Sequence, residues 1–287
     1  AAVTVTNTYT PTATVTSGLP VTFTIDLSTI SVCSISAGVV HFNTVGTCKV
    51  NADQVGNATY NPAPTVTQTI LVSTNQTITF TTSPPASPIV GGATYPPTAT
   101  ATSGLVVSFS IDASAASVCS MNAITHAVSF TTGGTCVINA NQAGNATYHA
   151  APQVQQSFAV GKLSQTITVS THAPSSAAYN STFTVAATAS SGLPVEYSGT
   201  AGICTAAGAT FTMTSATGTC IVHYNQPGDV TYLAAVQLTE SVNGNKNDQT
   251  ITFTSVEPVG ALTGQTYTPA ASATSGLPVT FTVHSLS

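Results

Sequence analysis

A chain of 287 residues with 42% hydrophobic side chains can bury several cores, yet only 4% of its residues are charged, against about 25% in an average domain. Three lysines, no arginine and a net charge of −5 exclude a phosphate-binding surface for nucleic acid and give little steering of charged ligands. No apolar run approaches the roughly 20 residues of a membrane span. Because so few residues are charged, the polar surface must come from Thr, Ser, Asn and Gln.

Two short motifs recur along the chain in a fixed order. Ser-Gly-Leu and Gln-Thr-Ile-Thr begin at Ser17, Gln76, Ser103, Gln165, Ser191, Gln249 and Ser275. Several motifs recurring in one order at a period of roughly 86 residues indicate tandem domains. The period is longer than a solenoid unit and fits a small independent sandwich.

The repeats predict four segments. Residues 1–74 form a repeat that lacks its first strand, residues 75–163 a complete repeat, residues 164–247 a complete but divergent repeat, and residues 248–287 the N-terminal part of a fourth. Because the sequence starts and stops inside repeats, we expect either a window on a longer protein or a subunit whose incomplete ends neighbouring chains complete.

Within each repeat the hydrophobic period is two. Residues 77–80, 21–26 and 107–112 alternate apolar side chains with hydroxyls, the pattern of a half-buried antiparallel strand. Gly and Pro punctuate the chain often enough to give about seven short strands per repeat. The sequence therefore predicts an all-β fold of tandem sandwiches, and the short links between them predict a jointed rod.

The longest repeated stretch is 15 residues long. It occupies Gly46–Tyr60, Gly134–Tyr148 and Gly218–Tyr232. We interpret it as a strand, a tight Gly-Asn or Gly-Asp turn, and the start of the returning strand. Its terminal tyrosine is interpreted as a core residue that anchors a sandwich corner, in preference to a platform for sugar stacking.

Six cysteines form one pair per complete second half of a repeat, Cys33/Cys48, Cys119/Cys136 and Cys204/Cys220. The separations of 15, 17 and 16 residues vary because the turn between the two cysteine-bearing strands varies in length. A disulfide tolerates such changes, whereas a Cys-x-x-Cys metal knuckle would not. We predict three intradomain disulfides, each worth roughly 3 kcal/mol in the chain-entropy model; buried free thiols are the alternative. Disulfides imply an oxidising, extracytoplasmic location.

A resemblance to a known family follows from these motifs. The segment Cys-x-x-x-Ala-x-Gln-x-Gly-Asn-Ala-Thr-Tyr, seen from Cys136 to Tyr148, resembles the F–G hairpin of an immunoglobulin-like domain. The whole chain resembles the tandem bacterial immunoglobulin-like (Big-type) repeats of large secreted and cell-surface proteins. It departs from antibody domains because the partner cysteine lies only about 15 residues upstream and no core tryptophan is present. The resemblance implies an adhesin stalk or a surface-filament subunit.

No residue set indicates catalysis, a metal or a cofactor. The histidines occupy unrelated repeat positions, and Cys220, which has metal-like spacing to His223, is better assigned to a disulfide. Asp26 and Asp112 end equivalent strands, which is compatible with calcium between domains, although the chain has too few carboxylates for a multi-oxygen cage. Solvated surface aspartate is the favoured interpretation.

Four asparagines match the Asn-x-Ser/Thr acceptor pattern for glycosylation, Asn57, Asn75, Asn145 and Asn180. In a threonine-rich chain several matches arise by chance. Asn57 and Asn145 nevertheless fall at equivalent turn tips, where a glycan has room.

The sequence thus favours a non-catalytic, extracellular or bacterial cell-surface structural protein. It would be an adhesin stalk or a self-assembling filament, with strand complementation between copies as one route to assembly. The expected partners are copies of the same chain or the continuation of a longer one. The alternative is an adhesion module whose sandwich-end loops bind a glycan or a cell-surface protein, with residues 164–247 as the most distinctive copy. An enzyme has no supporting residues.

Overall fold

The structure, a computed structural model, describes residues 3–5 and 7–284. These residues form β-strands and two one-turn 3-10 helices, Leu27–Thr29 and Ala113–Ala115. Contacts divide the chain into two compact units, residues 1–163 and 164–287. The predicted all-β, immunoglobulin-like sandwich architecture is confirmed.

The first sandwich (residues 3–72) opens the first unit. Its strands are β1 (Thr8–Tyr9), β2 (Thr22–Ile25), β3 (Cys33–Ser36), β4 (Val39–Phe42), β5 (Gly46–Gln54) and β6 (Ala63–Val72). One sheet has the order β1-β4-β3 and the other β2-β5-β6. A parallel bridge from Val3 to Val72 extends the second sheet beyond β6. Their inward side chains include Val40, Val50 and Val72, which are at most 2% exposed.

The second sandwich (residues 75–163) completes this unit and is described throughout. Its seven strands are β7 (Ile78–Phe80), β8 (Ala99–Ala101), β9 (Ser108–Ile111), β10 (Cys119–Met121), β11 (Val128–Phe130), β12 (Gly134–Asn141) and β13 (Val154–Val160). One layer is β9-β12-β13, which Ile89 extends by a parallel bridge to Gly161. The other layer contains the β7-β8 pair and the β10-β11 pair, and an antiparallel bridge from Tyr95 to Val128 extends the second of these.

The core of the second sandwich lies between these two layers. Ile138 and Val128 are fully buried, and the ring of Phe158 packs edge-on against both Phe130 and Tyr95 at centroid distances of 5.8 and 5.7 Å. Edge-to-face packing of this kind adds about 1 kcal/mol beyond area burial. Packed phenylalanine and tyrosine rings thus form the aromatic part of this core, since the chain contains no tryptophan.

The third sandwich (residues 164–245) opens the second unit. Its strands are β14 (Ile167–Thr171), β15 (Ser176–Ala178), β16 (Thr182–Thr184), β17 (Ala186–Ala189), β18 (Glu196–Ser198), β19 (Cys204–Ala207), β20 (Thr210–Met213), β21 (Thr219–Asn225) and β22 (Leu238–Asn245). One layer is β15-β22-β21-β18, with β15 parallel to β22, and the other contains β16-β20-β19 and the β14-β17 pair. Phe211 and Tyr224 are fully buried between them.

The last described strands, β23 (Ile251–Phe253) and β24 (Ala271–Ala273), form an antiparallel pair that we call the C-terminal strand pair. Its register, Ile251 opposite Ala273, repeats that of Ile78 opposite Ala101. Its apolar side chains differ in burial, because Ile251 is 61% exposed whereas Ile78 is 5% exposed. The pair has the sequence of a sandwich edge without an opposing sheet among the described residues.

Two details of the 15-residue stretch differ from prediction. The returning strands begin later than expected, at Ala63, Val154 and Leu238, because the residues after the Gly-Asn turn form a loop of their own. The core assignment of the terminal tyrosine is wrong for Tyr60, which is 50% exposed. Its backbone closes the turn by accepting a hydrogen bond from the Asn57 N–H, and its side chain is left outside the sandwich.

Candidate functional site

The six predicted disulfide cysteines are joined in three bonds, Cys33–Cys48, Cys119–Cys136 and Cys204–Cys220. The Cα atoms are 5.8, 5.7 and 5.7 Å apart, and each cysteine is at most 1% exposed. Each bond connects a strand of one layer to the long central strand of the other, so it fixes the two sheets face to face. The bonds are therefore structural, since buried disulfides are poor redox sites.

Asp26 and Asp112 cap the two 3-10 helices. The Asp112 carboxylate accepts hydrogen bonds from the Ser114 N–H and hydroxyl at 3.0 and 2.7 Å, and Asp26 makes the same bonds to Ser28 at 3.0 and 2.5 Å. Hydrogen bonding to these serines lowers the pKa of both carboxyl groups. Local capping thus accounts for the two equivalent aspartates, and no calcium site is needed to explain them.

The histidines belong to no metal-binding cluster among the described residues. His223 Nδ1 contacts Gln237 Oε1 at 3.2 Å, while its spacing partner Cys220 is in a disulfide. Within residues 3–5 and 7–284 no group of three or more His, Cys, Asp or Glu side chains is arranged to hold a metal ion. In the same residues no helix has the length and apolar character to cross a membrane.

The four predicted glycosylation asparagines, Asn57, Asn75, Asn145 and Asn180, are all exposed. Asn145 Oδ1 accepts hydrogen bonds from the N–H groups of Thr147 and Tyr148 at 2.8 and 2.9 Å. Asp229 occupies the equivalent place in the third sandwich and accepts the same two bonds through its carboxylate. The turn therefore needs the side-chain oxygen and not the amide nitrogen, and glycosylation at these sites stays a prediction.

The same turn requires glycine immediately before this residue. Gly144 has φ +75°, and a Cβ there would lie 2.3 Å from the Tyr148 carbonyl oxygen. The motif is thus conformationally fixed by a left-handed glycine and an oxygen that caps the following amides.

A buried glutamine closes one end of the second sandwich. Gln76 is 2% exposed, and its Nε2 donates to Gln142 Oε1 and to the His149 carbonyl, both at 2.6 Å. Its Oε1 accepts from the Ser103 hydroxyl at 2.5 Å. One amide thus ties the segment just before β7 to the loop after β12 and to the Ser-Gly-Leu turn. We call this arrangement the glutamine clasp.

The clasp recurs in the third sandwich. Gln165 Nε2 donates to Gln226 Oε1 and to the Leu233 carbonyl, both at 2.7 Å, and its Oε1 accepts from the Ser191 hydroxyl at 2.5 Å. In the C-terminal strand pair the bond from Ser275 is the one that Gln249 makes among residues 3–5 and 7–284. Both recurrent motifs of the sequence therefore owe their spacing to one hydrogen-bonding unit.

The first sandwich has the residues that accept the clasp's hydrogen bonds but not the counterpart of Gln76 that donates them. Gln54 Oε1 accepts from the Gly56 N–H at 2.6 Å, as Gln142 Oε1 does from Gly144. Ser17 stands where Ser103 does, and Asn61 where His149 does. Among residues 3–5 and 7–74 no side chain takes the place of Gln76.

Among the residues that the structure describes, no strand pairs with the sheet edge beside this incomplete clasp. Residues 10–15 belong to no strand, whereas the equivalent β8 is paired with β7. Two adjoining cavities of about 180 and 230 Å³ lie along this edge and share Ala13, Ala52 and Val66. Val66 is 68% exposed, and Ala52 is partly exposed although its equivalent, Ala140, is fully buried. We call this surface the open groove.

The third sandwich has a polar cluster of its own around Glu240. The carboxylate accepts hydrogen bonds from the Ala173 N–H at 2.8 Å and the Tyr224 hydroxyl at 2.5 Å, and contacts His172 Nδ1 at 2.5 Å. Burial alone would raise the pKa of Glu240, but these hydrogen bonds outweigh it and lower the pKa. Burial and the Glu240 carboxylate raise the pKa of the Tyr224 hydroxyl. Glu240 and Tyr224 are bound within the sandwich, whereas the His172 side chain is 71% exposed at its surface. Each of these groups has a hydrogen-bond partner inside the same domain, so the cluster is structural.

Sequence reasoning recognised the Gln-Thr-Ile-Thr and Ser-Gly-Leu motifs as repeat markers but missed the clasp. The available signal was that three polar positions, those of Gln76, Ser103 and Gln142, recur in register. An amide that recurs at the start of an apolar strand indicates a buried hydrogen-bonding role.

No family model matches this sequence, and no curated protein matches it. Solved structures to which the chain is similar include Drosophila N-cadherin EC1-4, with 11% identity over 82% of this chain and 69% of that chain and a TM-score of 0.24. Sidekick-1 immunoglobulin domains 1-5 match with 9% identity over 79% of this chain and 52% of that chain, at a TM-score of 0.28. Domains 1-6 of surface layer protein SbsC match with 14% identity over 83% of this chain and 37% of that chain, at a TM-score of 0.22. These neighbours are tandem-domain proteins; at such values the likeness is one of fold class and carries no functional argument.

Proposed function

We propose that this chain is a non-catalytic structural protein of the bacterial cell surface or extracellular space. It consists of tandem immunoglobulin-like repeats, with residues 1–74, 75–163 and 164–247 as three units and residues 248–287 as the opening of a fourth. It serves as an adhesin stalk or as the subunit of a surface filament.

The observation that carries the proposal is that one sandwich plan, with its own internal crosslinks, recurs along the chain. A disulfide joins the two layers in each of the three sandwiches. Gln76 and Gln165 make equivalent clasps in the second and third sandwiches. Repetition of one internally stabilised unit supports a structural role as a stalk or a filament subunit.

Hydrogen bonds at the link between the first two sandwiches support the stalk or filament role. The linker residue Thr74 donates its N–H to the Thr147 carbonyl at 2.7 Å and accepts from the His149 N–H at 2.8 Å. Two backbone hydrogen bonds at a short link restrict the angles that neighbouring domains can adopt. Disulfides inside each sandwich imply an oxidising, extracytoplasmic location.

The test is negative-stain electron microscopy of the purified chain, with non-reducing mass spectrometry to count the disulfides. Continuous fibres support the filament version, and separate rods support the stalk version. Compact particles without either form, or sulfurs that remain free after purification from an oxidising compartment, would contradict the proposal.

A second candidate is binding of a glycan or a cell-surface protein at the loops after β5 and β21. It is favoured by exposed apolar side chains in these loops, Val55 at 81%, Val230 at 61% and Leu233 at 50%. A glycan array and a surface-protein panel test it, and the absence of any saturable ligand would count against it.

A further inference from the structure

We infer that the loop after β12 fixes the linker from the first sandwich through His149, so that the glutamine clasp controls the stiffness of the joint between the first two sandwiches. The linker is residues 73–75, between the end of β6 and Gln76. The residues that hold it, 147–149, are called the linker socket. The biological meaning of the inference rests on the proposed structural function, since a stalk or filament depends on how freely its neighbouring units move.

Adjacent linker residues are bound to different sandwiches. The Ser73 N–H donates to the Val3 carbonyl of the first sandwich at 2.8 Å, whereas the Thr74 N–H donates to the Thr147 carbonyl of the second at 2.7 Å. Because peptide groups are planar, only the φ and ψ angles of Ser73 can rotate between these two anchored groups. Ser73 is 1% exposed, so close packing opposes that rotation. The joint therefore has no freely rotating residue while Thr74 stays bound.

His149 holds the linker through both of its backbone polar groups. Its N–H donates to the Thr74 carbonyl at 2.8 Å, and its carbonyl accepts from Gln76 Nε2 at 2.6 Å. Thr74 is exposed, so water competes for its hydrogen bonds, whereas Gln76 is 2% exposed and its hydrogen bonds are shielded. The buried amide thus positions the residue on which the exposed linker bonds depend.

The rest of the loop fixes the socket from its other side. Asn145 Oδ1 accepts from the N–H groups of Thr147 and Tyr148 at 2.8 and 2.9 Å, and the Asn145 N–H donates to the Tyr148 carbonyl at 2.9 Å. A Cβ on Gly144 would lie 2.6 Å from the His149 carbonyl carbon, so the loop packs directly against the backbone that leaves β12. The N–H of Thr147 is therefore bound inside the loop, and its carbonyl accepts from the linker.

Loss of the clasp would lengthen the free part of the link. Without the Gln76 side chain the linker is held by the two exposed Thr74 bonds, each of which has a small net value in water. When these bonds open, the next anchor along the chain is the Thr77 N–H, which donates to the Thr102 hydroxyl at 3.0 Å. Residues 74–76 then rotate freely, and the joint changes from fixed to flexible. With the clasp formed, residues 1–163 make one compact unit, as a fixed joint requires.

The test is nuclear magnetic resonance of the full chain, which reports on the joint in two ways. Hydrogen exchange at the Thr74 and His149 amides measures how often the socket opens, and residual dipolar couplings show whether the first two sandwiches move as one body. In the wild-type chain we expect both amides to be protected and one alignment tensor to fit both sandwiches. In Gln76→Ala we expect the protection of both amides to fall at least about tenfold and two tensors to be needed.

Three variants separate the socket from general destabilisation. Gln165→Ala removes the equivalent clasp in the third sandwich and should change the protection of Thr74 less than about twofold. Ser103→Ala removes the clasp bond that does not reach His149 and should change it less than about threefold. Thr74→Pro removes one donor to the socket but keeps the clasp. It should require two tensors, so the joint stays testable even if Gln76→Ala unfolds the second sandwich.

Several results would overturn the inference. Two tensors in the wild-type chain would mean that the joint is already flexible, and one tensor in Thr74→Pro would mean that the socket does not fix it. Unchanged protection of Thr74 in Gln76→Ala, or equal losses in Gln76→Ala and Ser103→Ala, would show that His149 does not couple the clasp to the linker. Electron micrographs without rods or fibres, together with one tensor in the wild-type chain and two in Gln76→Ala, would contradict the proposed function and leave this inference standing.

Discussion

The glutamine clasp makes a quantitative prediction for the third sandwich. Gln165 is 7% exposed and its main partner Gln226 is 5% exposed, so neither amide is well solvated. Replacement of Gln165 by Ala removes three hydrogen bonds. At about 1 kcal/mol for each net hydrogen bond, we expect the free energy of unfolding of this sandwich to fall by about 3 kcal/mol. For a domain of this size that corresponds to a fall in melting temperature of 10 °C or more, since 1 kcal/mol is worth about 4–8 °C.

The matched control is Gln237→Ala in the same sandwich. Gln237 also donates an amide hydrogen bond to another amide, Asn225 Oδ1 at 2.6 Å, but it is exposed, so water replaces the lost partner and the change should stay within about 0.5 kcal/mol. Native-state hydrogen exchange at the backbone amides of β21 measures the free energy of unfolding of this sandwich separately from that of the others. Equal effects of the two substitutions, or a loss below about 1 kcal/mol for Gln165→Ala, would refute the structural role of the clasp.

Three further predictions concern the bonds inside the sandwiches. Replacing both Cys119 and Cys136 by Ala should lower the unfolding free energy of the second sandwich by about 3 kcal/mol, measured by urea denaturation against the wild-type chain; an unchanged midpoint would contradict this. Because the folded pKa of Glu240 is lowered, its contribution is present above the unfolded pKa of about 4.3 and is lost as pH falls through the folded value; calorimetry from pH 7 to 3 should show this loss, and Glu240→Gln should reduce it. Asn145→Asp should keep the turn and Asn145→Ala should cost about 1 kcal/mol; equal melting temperatures for the two variants would argue against the cap.

Strand positions could be predicted from the sequence because a half-buried strand has a local signature. The alternation of residues 107–112 predicted β9, and the similar separations of the cysteine pairs predicted one disulfide inside each of the three sandwiches. Both inferences use neighbours along the chain. They needed no knowledge of which distant residues meet.

The clasp and the open groove depend on contacts between residues that are far apart in the sequence. Gln76 and Gln142 are 66 residues apart, and no local pattern states that their amides touch. The Ile-Thr-Phe sequence of β23 has the same alternation as β7, yet Phe253 is 66% exposed, because burial depends on whether a second sheet lies opposite. Pattern reasoning therefore predicted which faces are apolar but not which of them are covered.

A chain with three lysines and eight carboxylates must specify its contacts without charge. The described sandwiches do so with neutral amides: Gln76 and Gln165 fix the position of an edge strand, since a one-residue slip would withdraw each amide from both acceptors and turn the apolar face outward. The stability of the second and third sandwiches is therefore expected to be nearly independent of ionic strength, because salt screens exposed ion pairs but not hydrogen bonds between buried amides. Urea denaturation at low and high salt should give the same midpoint for these sandwiches, whereas sandwiches held by ion pairs would weaken as salt is added.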